Sequence, residues 1–553
     1  MTPNLGRFPV ARKVESVDPP ANSRFRRLAG FISDRSHLWY FLAVVTLLAV
    51  AFYLRTWGNL FGLPYFFHPD EQAVVDRSLA IMRTGDFNPH WFNYPSLYIY
   101  LQAIADMFVF LATPVKQAEN LILPTTPGFD YMRVGRTVSA IAGTATVLAV
   151  YYAGRSLFSA RVGLISATLF TFSLLHTINS HYITTDVPMT LLATLSFLAS
   201  AQVLRTGQNK YYVLAGLTAG LAASTKYNGG LAIVSLVAAH LFVAWRQRSP
   251  VNLGLVAAIA FFAVGFFLGT PYALLDLPNF LKGFAAEIAH YSLGHETYEG
   301  SNNLVWYFQT VLISWDSVAL VFGLAGAIIC VLRRRGPHYL LIAFPLVYIW
   351  WMGRFVVHFE RNLVPLTPFV ALLAAVFIDL PLRRLAMSWR LFRPVAALLV
   401  VCLVGLAITP SLLGIVEFND LLTAKHPKTI AAEWANSNLP HGSKIAVELY
   451  GIPLEPKSYQ LVNVLSVADR SVEWYKQQQF DYVIVSDGVW IRYYLEPEKY
   501  PKDLAAYEAI FNRLKLVKAV ELPAMSERLS IYPTVEVYHL PRVRIYKVEE
   551  KTE

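Results

Sequence analysis

The sequence predicts an all-α polytopic membrane protein that ends in a small soluble α/β domain, and three observations carry that reading. Of 553 residues, 55% are hydrophobic and only 15% charged, with a positive mean hydropathy, whereas soluble domains carry roughly 25% charged residues. Apolar runs of about 20 residues, the length a helix needs to cross a hydrocarbon core, recur between residues 38 and 415. From about residue 418 the texture changes to short alternating and helical stretches.

The apolar runs are 38–57, 134–154, 162–180, 187–204, 211–225, 229–245, 253–271, 305–332, 338–352, 361–380 and 394–415, which predicts about eleven spans. A further stretch, 95–113, holds Gln102 and Asp106 and begins with Tyr94-Pro95, so parity decides whether it crosses. The basic clusters are Arg24 to Arg27, Arg155 with Arg161, Arg205 with Lys210, Arg246 with Arg248, Arg333 to Arg335, and Arg383-Arg384 with Arg390 and Arg393. If 95–113 lies in the interface, every cluster falls on the cytoplasmic side, as the positive-inside tendency expects. The expected layout is a basic cytoplasmic tail over 1–37, a multi-span domain over 38–417 with a first outer loop over 58–133, and an extracytoplasmic α/β domain over 418–553. Within that last domain 429–438 and 504–514 read as helices, 444–448 and 481–486 as strands, and 535–546 as an alternating stretch.

The net charge of +10 is then a signal of topology, and the composition argues against nucleic acid as a partner. The two cysteines, Cys330 and Cys402, sit in apolar runs, which argues against a disulfide framework and a cysteine metal site. The first apolar run follows a polar, basic stretch and reads as a retained span rather than a cleaved signal.

The residues able to carry chemistry gather in the expected outer loops. The first loop holds His68-Pro69-Asp70-Glu71 and then Trp91-Phe92-Asn93-Tyr94-Pro95. The plain reading of Asp70 and Glu71 is an acidic helix start, with Pro69 opening the helix and its dipole favouring the charge. Asp186, in His181-Tyr182-Ile183-Thr184-Thr185-Asp186-Val187-Pro188, is explained locally as an N-cap. Two acids converging on one side also suit sugar transfer, where one carboxylate takes the acceptor proton and another orients a hydroxyl. Acids alone would serve a proton relay equally well. Cations discriminate. Lys226 lies at the outer end of an apolar run, where an ionisable group is costly unless it snorkels. Arg354, His358 and Arg361 sit on the outer side against the positive-inside trend, and phosphate is a natural partner for them. The alternative is an ion pair, for instance with Glu360. His181, His290 and His295 also face outward, without the paired-histidine spacing of a metal site.

In order and topology these motifs resemble the GT-C glycosyltransferases. The nearest likeness is to glycosyltransferase family 39, the dolichyl-phosphate-mannose–protein mannosyltransferase group, and to the bacterial aminoarabinose transferases of lipid A. It runs from His68-Pro69-Asp70-Glu71 through Tyr94-Pro95-Ser96-Leu97-Tyr98, Gly154-Arg155-Ser156-Leu157-Phe158, Thr184-Thr185-Asp186-Val187-Pro188 and Thr225-Lys226 to Glu360-Arg361-Asn362-Leu363-Val364-Pro365. It covers roughly 38–415. The resemblance implies Asp70 as general base, with Glu71 and Asp186 as further catalytic acids. It implies Lys226 and Arg361, with Arg354, at the donor phosphate, and His68, Tyr94, His181 and His358 around the substrates. The implied reaction is direct displacement with inversion, using a polyprenyl-phosphate sugar as donor and an acceptor hydroxyl on protein, lipid or glycan. No cofactor is required by it; a divalent cation, which some GT-C relatives use, would fall at Asp70 and Asp186. One departure bears on the acceptor: 272–304 is too short for the repeat-containing domain of the protein mannosyltransferases. The expected location is a prokaryotic inner membrane. The alternatives are a transporter or flippase, which would show repeated halves and broken helices, and a non-catalytic assembly protein whose carboxyl domain binds a partner.

Overall fold

The computed structural model describes residues 35–65, 67–112, 125–126, 129–247, 253–293, 303–523 and 525–550. Most of the expected basic tail, including Arg24 to Arg27, lies outside the described residues, as do Arg248 and His295. The helices of the first part are α1 Arg35–Thr56, α2 Pro69–Thr84, α3 Leu97–Ala112, α4 Tyr131–Leu157, α5 Ala160–Thr171, α6 Leu174–Asn179, α7 Asp186–Thr206, α8 Asn209–Thr225, α9 Ile233–Gln247 and α10 Leu253–Gly269. They continue with α11 Leu277–Leu293, α12 Asn303–Ile313, α13 Ser317–Arg333, α14 Gly336–Met352, α15 Thr367–Ser388 and α16 Arg393–Thr423. Large side chains such as Trp39, Phe108, Leu241, Leu268 and Leu398 stand exposed along them, as a lipid-facing surface requires.

Among the described residues six helices are long and apolar enough to cross a membrane, or seven if the bent pair α12–α13 is one span. Others of the expected spans are 17-residue helices, α8, α10 and α14, somewhat short of the usual span length. The stretch 95–113 becomes α3, only 16 residues long, with Gln102 and Asp106 buried. Asp106 accepts hydrogen bonds from Ser78 and Gln102, so its polar face looks into the protein.

Two expected continuous runs are broken, and one acid accounts for both. The chain turns by 120° between α12 and α13. At the bend the Asp316 carboxylate accepts the N–H groups of Leu174 and Leu175, at 2.9 and 2.8 Å, and the Ser411 hydroxyl at 2.9 Å. A carboxylate within apolar surroundings finds its compensation at a helix N-terminus. Meeting that need bends 305–332 at Asp316 and starts α6 afresh within 162–180.

Helices α8 and α10 meet backbone to backbone at two glycines of α8. A methyl group on Gly216 would overlap the carbonyl of Ala258, and one on Gly220 the carbonyl of Phe262. The Gly216-Leu217-Thr218-Ala219-Gly220 spacing is the small-xxx-small pattern of close-packed membrane helices. Gly220→Leu is therefore expected to lower the thermal midpoint of the purified protein by an amount corresponding to about 1–3 kcal/mol of overpacking. An unchanged midpoint would refute the contact.

The C-terminal region contains α17 Pro427–Asn438, β1 Lys444–Glu448, β2 Gln460–Val464, α18 Val472–Gln477, β3 Tyr482–Ser486, α19 Asp487–Leu495, α20 Pro501–Arg513, β4 Leu514–Val520, α21 Pro533–His539 and β5 Val543–Glu550. Its sheet has the order β2-β1-β3-β5-β4, with β1 parallel to β2 and β3, and β5 antiparallel to β3 and β4. Alternation along β1 sends Ile445 and Val447 to the face covered by Ala431 and Ala435 of α17, and Ala446 to the face shared with Tyr475 and Tyr507. The alternating stretch 535–546 is not a single strand: its first part is the end of α21, opened by Pro533, and the strand begins at Val543. Packing prevails over pattern there, because α21 carries His539 onto the helical part. The Tyr182 hydroxyl and His539 Nε2 lie 2.5 Å apart, and the Phe67 and His426 rings stack at 3.9 Å. Glu417 accepts both the N–H and the hydroxyl of Ser526.

Candidate active site

The start of α2 sets the first side chains. His68 is the N-cap, its Nδ1 accepting the Asp70 N–H at 3.3 Å, and Pro69 opens the helix. Consecutive residues on a helix point about 100° apart, so Asp70 and Glu71 cannot face the same way. Glu71 turns inward and is fully buried. It takes two hydrogen bonds from Arg136, both 2.8 Å, and the Ile183 N–H at 3.2 Å. Arg136 also donates to the carbonyls of Asn59 and Phe61 and lies 3.5 Å from the centre of the Phe61 ring. This pair clamps the start of α2 to α4 and to the turn before α7.

Asp70 turns the other way, into a cavity of about 410 Å³. It forms an ion pair with Arg361, the two side chains 25% and 15% exposed. Arg361 comes from the 3₁₀ turn Glu360–Leu366, whose next residue, Asn362, links it to a second pair. The Asn362 side-chain oxygen lies 3.4 Å from Lys226 Nζ and 3.4 Å from the Tyr291 hydroxyl, and its amide donates to Tyr307 at 3.1 Å. Lys226 Nζ also donates to Asp186 at 2.8 Å, and both residues are buried. The order Asp70, Arg361, Asn362, Lys226, Asp186 thus alternates acids and cations about one amide.

Electrostatics separate the acids. Burial opposes ionisation of Asp70, but the charge of Arg361, the hydrogen bond it donates and the charge of Lys226 outweigh it and hold the carboxyl below its usual range. Glu287 of α11 lines the same cavity, and burial pushes it up to about 6 against the pull of Lys226 and Arg361. His68 is lowered by burial, which keeps it neutral and able to accept the Asp70 N–H. Tyr94 lines the cavity, and burial together with Asp70 raises its hydroxyl well above the usual value. The far wall belongs to the C-terminal region: Tyr450, Arg492 and Tyr538. Beside Tyr307 a second, almost wholly apolar cavity of about 240 Å³ runs between α12–α13, α14 and α15, past Leu324, Ile349 and Val370.

Known proteins share this architecture. The ArnT structure from Cupriavidus metallidurans in the apo state is 15% identical, with a TM-score of 0.51 over 92% of this chain and 98% of that one. The two chains share one fold. ArnT bound to undecaprenyl phosphate gives 15% identity and a TM-score of 0.50 over 93% and 99% of the two chains. The archaeal oligosaccharyltransferase AglB from Archaeoglobus fulgidus, in complex with an inhibitory peptide and a dolichol-phosphate, is 14% identical, with a TM-score of 0.52 over 88% of this chain and 73% of that one. In sequence, residues 128–267 match the family described as dolichyl-phosphate-mannose–protein mannosyltransferase. No curated protein sequence matches the chain.

On this fold, Asp70, Tyr94 and Arg361 line one cavity, while Asp186 and Lys226 stand a layer deeper behind Asn362. Other expected site residues are placed elsewhere. Glu71 is committed to Arg136. His181 lies between the carbonyls of Thr177 and Trp57, at 2.9 and 3.1 Å. His358 faces the Asn303 side chain at 2.8 Å and packs on Trp306. Arg354 is exposed over the Trp350 ring. His68 contacts the rings of Tyr182 and Tyr538 just outside the cavity. Asp70 and Asp186, where a divalent cation was expected to fall, each face a side-chain cation, Arg361 and Lys226 respectively. No group of three acids, histidines or cysteines suited to a metal occurs among the described residues.

Proposed function

We propose that the protein moves a sugar from a polyprenyl-phosphate carrier to an acceptor hydroxyl on the outer face of a prokaryotic inner membrane, in one inverting displacement. The observation that carries this is the cavity where Asp70 faces Arg361, with Lys226 one amide behind. The acceptor oxygen gives its proton to Asp70 and bonds to the anomeric carbon from the side opposite the phosphate. The bond from that carbon to the phosphate oxygen breaks, and the electron pair leaves with the phosphate. A phosphate needs charge stabilisation rather than a proton to depart, which Arg361 and Lys226 offer. Asp186 holds the Lys226 ammonium in place, and Glu71 fixes the helix that presents Asp70.

Three features support the reading. Solved proteins of the same fold include one bound to undecaprenyl phosphate and one in complex with a dolichol-phosphate. The apolar cavity beside Tyr307 suits the start of such a carrier chain, because Tyr307 touches Asn362. Arg155, Arg205, Arg246 and Arg333 lie in the last turns of α4, α7, α9 and α13, whereas Asp186 opens α7 and Arg136 lies near the start of α4. The positive-inside tendency then puts the acids and the C-terminal domain outside.

The test is release of polyprenyl phosphate by purified protein in nanodiscs, supplied with a panel of undecaprenyl-phosphate hexoses and pentoses. Wild type is expected to consume at least one donor. Lys226→Met is expected to lower that turnover by about 10²-fold, as loss of one charge-stabilising donor does. No turnover of any donor by wild type in a membrane extract containing acceptors would sink the proposal.

A further inference from the structure

One of the cavities that the reaction does not use belongs largely to the C-terminal region. It has a volume of about 510 Å³ and lies where the parallel strands β1 and β2 end, between Tyr450 and Asn463 on one side and Tyr65 and Phe67 on the other. Open α/β sheets take their ligands at the carboxyl ends of parallel strands, where the strand order reverses. Here the reversal itself is filled from within. Glu448 accepts the N–H groups of Val467 and Ser486, both at 3.1 Å, and the Tyr507 hydroxyl. The space that remains open lies to one side, over Lys428.

Lys428, in the first turn of α17, is 2% exposed and lines this cavity. Its Nζ sits 5.1 Å from the Phe67 ring and 5.9 Å from the Tyr450 ring. Among the described residues it has no ion pair and no side-chain hydrogen bond, and the carboxylate that acts on it, Asp487, is held by Arg542 at 2.9 Å. A buried ammonium that meets only ring faces lacks the anionic partner that burial demands. Tyr450 connects this place to the chemistry, for it lines both this cavity and the one holding Asp70. Its φ of 61° is left-handed, a conformation that a bulky residue adopts only when held there.

We propose that this cavity over Lys428 docks the acceptor, selecting one that carries an anionic group, phosphate or carboxylate. That group pairs with Lys428, an apolar or ring face lies on Phe67, and the accepting hydroxyl passes Tyr450 to reach Asp70. The proposal rests on the sugar-transfer reading for its last step only; the anion site stands without it.

The test uses the full chain in phosphatidylcholine nanodiscs, with phenyl phosphate as the probe and neutral phenyl glucoside as its control, read by calorimetry. Phenyl phosphate is expected to bind at least ten-fold more tightly than the glucoside. Lys428→Met is expected to lose that preference and Lys428→Arg to keep it. Should Lys428→Met fail to fold, Asn463→Asp on the exposed rim sets a negative charge at the same cavity and is expected to weaken phenyl phosphate several-fold. Equal binding of the two probes by wild type, or unchanged binding by both Lys428→Met and Asn463→Asp, overturns the site. Nanodiscs containing phosphatidic acid separate the sources: competition with phenyl phosphate there identifies a membrane-borne headgroup, and its absence a soluble or extended anion. Probe binding without donor turnover by wild type would remove the acceptor role, whereas donor turnover without probe binding would remove the cavity's assignment alone.

Discussion

Asp70→Asn is expected to keep the fold and to lower sugar transfer by about 10²–10⁴-fold, the usual contribution of a general base. The fold survives because Asp70 is a partly exposed cavity residue, and the asparagine still permits the same helix start. The pH dependence carries a second signature. The Asp70 carboxyl is held below its usual range, chiefly by Arg361 acting against burial, so the base is ionised above that depressed value. The sign follows directly. Activity is retained down through ordinary carboxylate values near about 3.9 and is lost only as pH falls through the depressed one, whereas the stability contributed by the ion pair is full above the ordinary value and is lost between the two. In kcat/KM the acid limb of wild type is therefore expected below about pH 4. A limb near 6 that disappears in Glu287→Gln would move the role of base to Glu287, a cavity acid whose carboxyl burial pushes up to about that value.

Glu71→Ala is expected to act on stability rather than on chemistry. It strands Arg136 as a fully buried cation whose remaining partners are two carbonyls and a ring. Removing one member of a buried, doubly hydrogen-bonded pair typically costs about 3–5 kcal/mol. The thermal midpoint should fall steeply, and Glu71→Ala with Arg136→Met together should recover part of the loss, since no bare charge remains. A Glu71→Ala protein that melts like wild type yet transfers no sugar would return Glu71 to the chemistry.

Much of this architecture was legible in the sequence, and the misses have physical causes. Hydropathy marks where a chain meets lipid, so the helical part and the change of texture near residue 418 could be read. It does not mark where a carboxylate inside an apolar run finds its helix end, which is why the bend at Asp316 was not foreseen. Period-2 alternation runs through 535–546, but docking of His539 on Tyr182 fixed its first part as helix. At the site, Asp70, Asp186, Lys226 and Arg361 could be picked out as charges in costly places. Arg136 gave the same signal, a charge inside the run 134–154, and went unused. Glu287, Asn362 and Tyr450 gave none, since an acid on an amphipathic helix, an amide and a lone tyrosine look ordinary until the fold sets them in one place.

The ion pair between Asp70 and Arg361 has a consequence for the order of events. At rest the base is masked by the cation that the donor phosphate is proposed to need. A donor arriving at Arg361 must displace Asp70, and in doing so it frees the carboxylate to accept a proton. An acceptor arriving first meets a neutralised acid and gains nothing from it. On the proposed reaction the carrier lipid therefore arms the enzyme, and binding is ordered with donor first. The pair acts as a safety catch, which the loaded carrier alone releases.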